Sequence, residues 1–452
     1  MTHQLEDATD AHEGSGCTPI LDVVGIGYGP SNLGLAIALH EHNSTHAAEV
    51  TAAFVESKPR FGWHPGMLIP GATMQISFLK DLALQRNATS EFTFLNYLHE
   101  MGRLHHFVNH QTFFPTRIEF HKYLEWAENK VGADVRYGTV ATRVNDQGDH
   151  FRVDTDNDGH LSTLKARNIV LAGGLTAKLP DGVHPSSRQF HNHNLLFELQ
   201  NLPATNHNRF VVVGAGQSAA EVVSYLHKTY PHAEVHAVFG KYGYSPSDDS
   251  PYANRIFDPG AVDDYYNSPV ALRKKLLDYH RGTNYSAVDL PLIEELYSIE
   301  YAERVDNSRR LFVHGASGVL TADDSDDGVR VTIEHRPTGQ KQELDVDAVV
   351  YATGVTPMDL PSILGPLHND DREVDDARVG RDYQLRTATE TVGRIYVQGG
   401  TEDTHGLTSS LLSNIAIRSG EIVDSIAQRI TPPAPADPGF SSRALSSSSR
   451  GM

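Results

Sequence analysis

Between about residues 20 and 430, short β-branched runs alternate with stretches whose apolar residues recur at helical spacing. The runs ILDVVGIG, RNIVLAGG, FVVVGAG, AEVHAVFG and DAVVYATG are apolar almost without interruption. Such runs predict strands buried on both faces, as in a parallel sheet with helices on each side. Two segments add a glycine turn and a helix start to the strand: LDVVGIGYGPSNLGLAIAL (21–39) and RFVVVGAGQSAAEVVSYL (209–226). Their leading glycines, Gly25 and Gly214, stand 189 positions apart, too far for two halves of one mononucleotide fold. Each turn therefore opens its own α/β domain. The runs DVDAVVYATG, ending at Gly354, and GRIYVQGG, ending at Gly400, read as late strands that return to the first domain. The predicted fold class is α/β, with two Rossmann-like dinucleotide-binding domains. The second (202–334) is inserted between the two parts of the first (20–201 and 335–430). Residues 1–19 are polar and 431–452 are rich in Pro and Ser, so a disordered lead and tail are expected.

A G-x-G turn after a buried strand lets backbone amides approach a pyrophosphate, and the helix N-terminus behind it adds partial positive charge. In the first turn the candidates are Gly25, Gly27 and Gly29. Pro30 occupies the third glycine position of G-x-G-x-x-G, so the match is imperfect. In the second, Gly214 and Gly216 are followed by Ala219, which the looser motif allows. Glu56, at the tip of the strand after the first helix, is placed to accept from ribose hydroxyls. It lies 31 positions beyond Gly25, against the usual ~20, and its alternative is a solvated surface glutamate. The matching tip in the second domain carries Gly240 and Lys241 and no acid. A cation there favours a 2′-phosphate, NADPH over NADH; the alternative is an exposed loop lysine.

Two nucleotide domains in one chain predict a flavin exchanging hydride with a nicotinamide. Flavin disulfide reductases need a cysteine pair, and Cys17 is the only cysteine. That leaves a flavin monooxygenase. The formal net charge of -19 argues against nucleic acid or an anionic membrane surface as partner. No run of about 18 apolar residues predicts a membrane span, and the polar, acidic start lacks a secretory signal, so a cytoplasmic location is expected. In LHHFVNH, His105, His106 and His110 lack an acidic or cysteine partner at ligand spacing. No metal is expected there, but a loop with a packed aromatic patch.

The blocks FGWHPGMLIPGATMQISFLKDLALQRNATSEFTFLNYLHEMGRLHHF, FPTRIEFHKYLEWA, GAGQSAAEV, SPSDDSPYANRIFDP, NYSAVDLPLIEELY, VVYATGVTP and THGLTSSLLSNIAIRSGEI are more specific than any glycine turn. In them the chain resembles the L-ornithine N5-monooxygenases of bacterial and fungal siderophore biosynthesis, within the lysine N6-hydroxylase/ornithine N5-oxygenase family. The resemblance covers about residues 20–430. It implies FAD on the first domain, with Gly25, Gly27 and Gly29 at its pyrophosphate and Glu56 at its ribose. Trp63, His64 and Gln75 would line the flavin, and Ser410, Leu411 and Leu412 would close over it. NADPH would lie on the second domain against Ala215, Gly216, Gln217 and Ser218. Many relatives carry an arginine near that strand tip; here the matching position is Gly240, with Lys241 beside it.

The resemblance also implies a small helical, substrate-contacting segment at 245–300. Lys80 would pair with an amino-acid carboxylate, Asn254 and Asn284 would fix the same end, and Ser413 would add a contact. Relatives that hydroxylate plain diamines tend to lack this lysine, so Lys80 argues for an amino acid. Read without the family, Lys80 is a surface lysine paired with Asp81, and the two asparagines are turn or capping residues. No catalytic side chain is assigned, the oxygen-transfer chemistry being the flavin's own. The implied activity is N-hydroxylation of L-ornithine with NADPH and O2, giving N5-hydroxyornithine for a hydroxamate siderophore, in a homo-tetramer. The alternatives are L-lysine or a diamine as substrate, Baeyer–Villiger or sulfur oxidation on the same scaffold, and a non-catalytic nucleotide-binding sensor.

Overall fold

The computed structural model describes residues 19–202, 208–283, 285–369 and 378–430. The expected tail, and the expected lead apart from Pro19, lie outside them. Strand Ile20–Ile26 runs parallel to Ala52–Val55 on one side and to His160–Leu171 on the other. Because successive strand residues point to opposite faces, Val23 and Val24 enter different cores. Val23 packs with Leu33, Ile37, Tyr123 and Ile422, from helices Pro30–Thr45, Arg117–Val131 and Ile415–Ile430. Val24 packs with Val153, Ile169 and Leu364 on the far side. Both valines are fully buried. Val135–Arg136 extends the sheet beyond Ala52–Val55, while Phe151–Asn157 and Val140–Asp146 add an antiparallel meander at the other side.

Strand Arg394–Val397 pairs parallel with the last residues of His160–Leu171, so GRIYVQGG does return to the first sheet. DVDAVVYATG does not. Its strand, Ala348–Tyr351, lies between Arg209–Val213 and Gln189–His191, with Val349 opposite Val211. A continuous apolar run reports burial on both faces, and two parallel sheets offer the same burial. The run therefore carried no information about which sheet it joins.

The second sheet, in spatial order Leu311–His314, Glu234–Val238, Arg209–Val213, Ala348–Tyr351 and Gln189–His191, is parallel throughout. Drawn by strand pairing, the inserted unit thus runs from Gln189 to Tyr351, wider than 202–334. Strands Ser317–Asp324, Val329–His335 and Gln340–Val346 form an antiparallel sheet within it. The outgoing chain, Leu175–Ala177, pairs antiparallel with the returning chain, Val355–Pro357, at the crossing between the two units.

Within 245–300 the chain forms a short 3-10 helix at Ala253–Phe257 and helices at Pro259–Tyr266, Val270–His280 and Leu290–Val305. Leu104–His110 is a helix, not the expected loop. No glycine or proline interrupts it, and Phe107 packs edge-on against Phe78 and Phe94.

Candidate active site

The first glycine turn is set by close contacts. Gly27 has φ +83°, and a Cβ there would stand 2.4 Å from the Ala172 carbonyl oxygen. A Cβ on Gly25 would stand 2.3 Å from the Phe54 ring, whereas nothing lies within 4 Å of one on Gly29. Gly25 and Gly27 therefore serve packing, and Gly29 leaves the open side. Pro30 is the first residue of helix Pro30–Thr45. Its missing N–H costs nothing there, which explains why the third glycine position accepts it.

Glu56 is buried, not a solvated surface acid. Its carboxylate accepts from the amides of Tyr28 (2.7 Å) and Lys58 (3.0 Å) and from Lys58 Nζ (3.3 Å). Burial pushes its pKa up, but these donors together outweigh burial and hold the group below its ordinary value. The acid at the strand tip thereby also fastens the turn.

Three buried residues that sequence reasoning missed brace the same turn. Asn32 Nδ2 donates to the Gly27 carbonyl (2.6 Å). Gln398 Nε2 donates to Asn32 Oδ1 (3.1 Å), and Arg418 Nε donates to Gln398 Oε1 (3.2 Å). Arg418 also donates to the Ser409 carbonyl (2.8 Å) and to Ser31 Oγ (3.3 Å). Glycine turn and residues 407–414 are thus joined through one guanidinium. The contacts that close the brace, Gln398 to Asn32 and Arg418 to Ser31, join residues 366 and 387 positions apart, so no local pattern marks them.

Ser409 Oγ and both polar side-chain atoms of Asn414 are buried without a hydrogen-bond partner among the described residues. Buried polar groups are normally paired, so a polar ligand edge fits beside them. An open glycine turn together with these unpartnered groups fits FAD. Leu411 is half-buried, Leu412 packs on the same core as Trp63, and Ser413 is buried in the turn Leu412–Asn414. Ser410 belongs to the short helix Leu407–Ser410.

The second turn repeats the logic. Gly214 has φ +145°, and a Cβ on it would stand 2.3 Å from the Ala352 carbonyl oxygen. Gly216 caps helix Gln217–Thr229, which begins with Gln217 and Ser218. A cavity of ≈ 890 Å³ opens beside Gly214 and Ala215, over Gly240, Lys241 and Tyr351. That size accommodates a nucleotide. Lys241 lines it, exposed but held: Nζ donates to the Ser286 carbonyl (2.7 Å) and to Ser245 Oγ (3.4 Å).

Between the turns, Asp289 joins two of the expected contacts. It accepts from Gln75 (3.3 Å) and from Gln217 (3.2 Å), while its own amide donates to Gln217 Oε1 (2.8 Å). Gln217 also donates to Glu221 (3.1 Å), which receives both terminal nitrogens of Arg117 at 2.9 Å. Burial raises the Asp289 pKa. His64 is left-handed (φ 47°) and packs near Trp63 and His193. Burial, then the nearby His193, Arg117 and Lys58 charges, lower its pKa to about 3, so it is neutral at working pH.

Lys80 is not paired with Asp81. The buried Asp81 carboxylate accepts from the amides of Ala83, Leu84 and Phe94 (2.7–2.9 Å). Lys80 Nζ instead lies 5.9 Å from the Phe257 ring centre, at the end of the short helix that carries Asn254. The Asn254 side-chain amide donates to the Asp249 carbonyl (2.7 Å), a turn contact that leaves its Oδ1 unused among the described residues. Lys80 and the Asn254 turn, 174 positions apart, are neighbours. Asn284 lies outside the described residues.

Residues 19–357 match the family model described as L-lysine 6-monooxygenase/L-ornithine 5-monooxygenase. The chain is 38% identical over 403 residues to an L-ornithine N(5)-monooxygenase of Burkholderia cepacia, covering 86% of this chain and 90% of that one. Among solved structures it is similar to the Kutzneria sp. 744 ornithine N-hydroxylase KtzI, described with reduced FAD, NADP+ and L-ornithine. Identity is 44% and the TM-score 0.87, over 91% of this chain and 100% of that one. The ornithine hydroxylase PvdA of Pseudomonas aeruginosa follows at 33% identity and TM-score 0.85, over the same shares. A family model matched over most of the chain, and relatives similar along nearly their whole length, show that the chain belongs to the L-lysine 6-monooxygenase/L-ornithine 5-monooxygenase family.

Proposed function

We infer that this chain hydroxylates the side-chain amine of L-ornithine, using NADPH, O2 and FAD, and yields N5-hydroxyornithine for a hydroxamate siderophore. The observation that carries this reading is the likeness, over 91% of the chain, to an ornithine N-hydroxylase structure described with reduced FAD, NADP+ and L-ornithine. Gly25, Gly27, Gly29 and Glu56 would hold the FAD pyrophosphate and ribose. Trp63, His64, Gln75 and residues 410–412 would enclose its ring. When bound, reduced FAD supplies the activation of O2 and its transfer. Ala215, Gly216, Gln217 and Ser218 would hold the nicotinamide nucleotide.

Lys80 Nζ would pair with the ornithine carboxylate, with Asn254, Asn284 and Ser413 completing that end and segment 245–300 forming its wall. Among the described residues Lys80 has no acid partner, and an amino-acid substrate would bring its own carboxylate to it, which supports ornithine over a diamine. The reacting amine must arrive neutral, although a free alkylamine has a pKa near ~10.4. His64, held neutral by burial, adds no proton and no positive charge there.

The assembly is expected to be a homo-tetramer in the cytoplasm. No helix among the described residues is long and apolar enough to cross a membrane. The reading is tested by incubating the purified protein with NADPH and, separately, L-ornithine, L-lysine and cadaverine, and identifying products by mass. Hydroxylated ornithine should dominate. Greater turnover of lysine or cadaverine, or a colourless protein that oxidises no NADPH, overturns it.

A further inference from the structure

The second nucleotide strand ends where a 2′-phosphate must be recognised, yet its tip residue, Gly240, has no side chain. The structure fills that place from elsewhere. Arg336 follows strand Val329–His335, in the turn before Gln340–Val346. Its amide donates to the Ala316 carbonyl (3.0 Å), which fastens the turn over the strand tip. A Cβ built on Gly240 would stand 3.0 Å from Arg336 Nη1, and one on Gly318 would stand 2.9 Å from Nη2. The guanidinium therefore occupies the volume that side chains at both glycines would take.

Arg336 lines the same 890 Å³ cavity as Gly214, Ala215 and Lys241. Among the described residues its guanidinium has no carboxylate partner, although Asp181, Asp323 and Asp324 line the cavity as well. Asp324 is engaged by the Gln189 side-chain amide (2.9 Å).

We propose that Arg336, reaching in from the antiparallel sheet, is the residue that recognises the 2′-phosphate of NADPH and sets preference for it over NADH. Guanidinium and phosphate match as a two-pronged, charge-assisted pair. An unpaired arginine at a strand tip with no acid is the arrangement that favours a 2′-phosphate over a free 2′-hydroxyl. Lys241, whose Nζ is already bonded to the Ser286 carbonyl, adds charge but not the two-pronged contact. Glycine at 240 leaves the guanidinium its place, since a Cβ there would already press on Nη1 at 3.0 Å.

This assignment rests on the NADPH-dependent reading above, and binding without turnover separates the two. Adenosine 2′,5′-bisphosphate and 5′-AMP are titrated calorimetrically into FAD-loaded protein. Arg336→Gln should weaken the bisphosphate by about 10–100-fold and leave 5′-AMP within about twofold. Gly240→Arg in the Arg336→Gln background should recover at least about fivefold, since the new arginine then has room. Unchanged bisphosphate affinity, or equal loss of both ligands, overturns the assignment. So does loss confined to Lys241→Gln. If wild-type protein binds the bisphosphate as expected but forms no hydroxylated ornithine, the functional reading fails and the role of Arg336 stands.

Discussion

Two side chains show how differently charge is used around the same junction. Lys80 keeps its ammonium near Phe257, with Asp81 bonded to backbone amides and so withdrawn from it. A substrate carboxylate would then be its ionic partner. Lys80→Ala should raise the ornithine KM about 10–100-fold while NADPH oxidation by the loaded enzyme persists; steady-state kinetics with separate readouts for NADPH and product check this. Arg418 is fully buried. It ties Gln398, Ser409 and Ser31 to the first glycine turn. Arg418→Met should release more than tenfold more FAD on dilution, read by recovery of free-flavin fluorescence, with NADPH affinity unchanged. Lys80 stands out in the sequence because it sits in a family-specific block. Arg418 does not, because what marks it is burial beside residues from distant parts of the chain.

At the scale of elements, helix Gln217–Thr229 carries the second glycine turn, and helix Arg117–Val131 belongs to the first unit. The Arg117–Glu221 pair couples them, with both side chains largely buried. Removing one partner of such a pair strands the other charge and costs about 3–5 kcal/mol. Glu221→Ala should therefore lower the unfolding midpoint clearly. Arg117→Met/Glu221→Leu, which removes both charges, should recover most of it; calorimetry on the two variants distinguishes them. The helices and strands were themselves readable, since apolar periodicity and continuous runs report local burial. The pattern of Ala348–Tyr351 is equally compatible with either sheet, and its pairing with Arg209–Val213 and Gln189–His191 is what places it in the second. Leu104–His110, expected as a loop with a packed aromatic patch, is a helix whose Phe107 joins that patch.

Over the whole molecule, the fold depends on histidines kept neutral. Burial lowers the pKa of His64 to about 3 and of His191, His236 and His405 to about 4. His193 and His314 are lowered in the same way. An unfolded histidine takes up its proton near ~6.5, so below that pH the unfolded state binds more protons and stability falls toward pH 4. Asp81 and Asp289, pushed up by burial, act in the opposite sense but are fewer. The thermal midpoint should drop steadily from pH 7 to pH 5, and His64→Asn should flatten part of the slope; a midpoint constant over this range contradicts the account. The sequence by itself determined the two dinucleotide turns, their helices and the family, because each depends on residues adjacent in the chain. Only the tertiary structure decided which sheet receives Ala348–Tyr351, how Arg418 reaches Ser31, 387 positions away, and that Arg336 fills the space left by Gly240. Those outcomes depend on which surfaces meet once the chain has folded, and chain separation carries no signal for that.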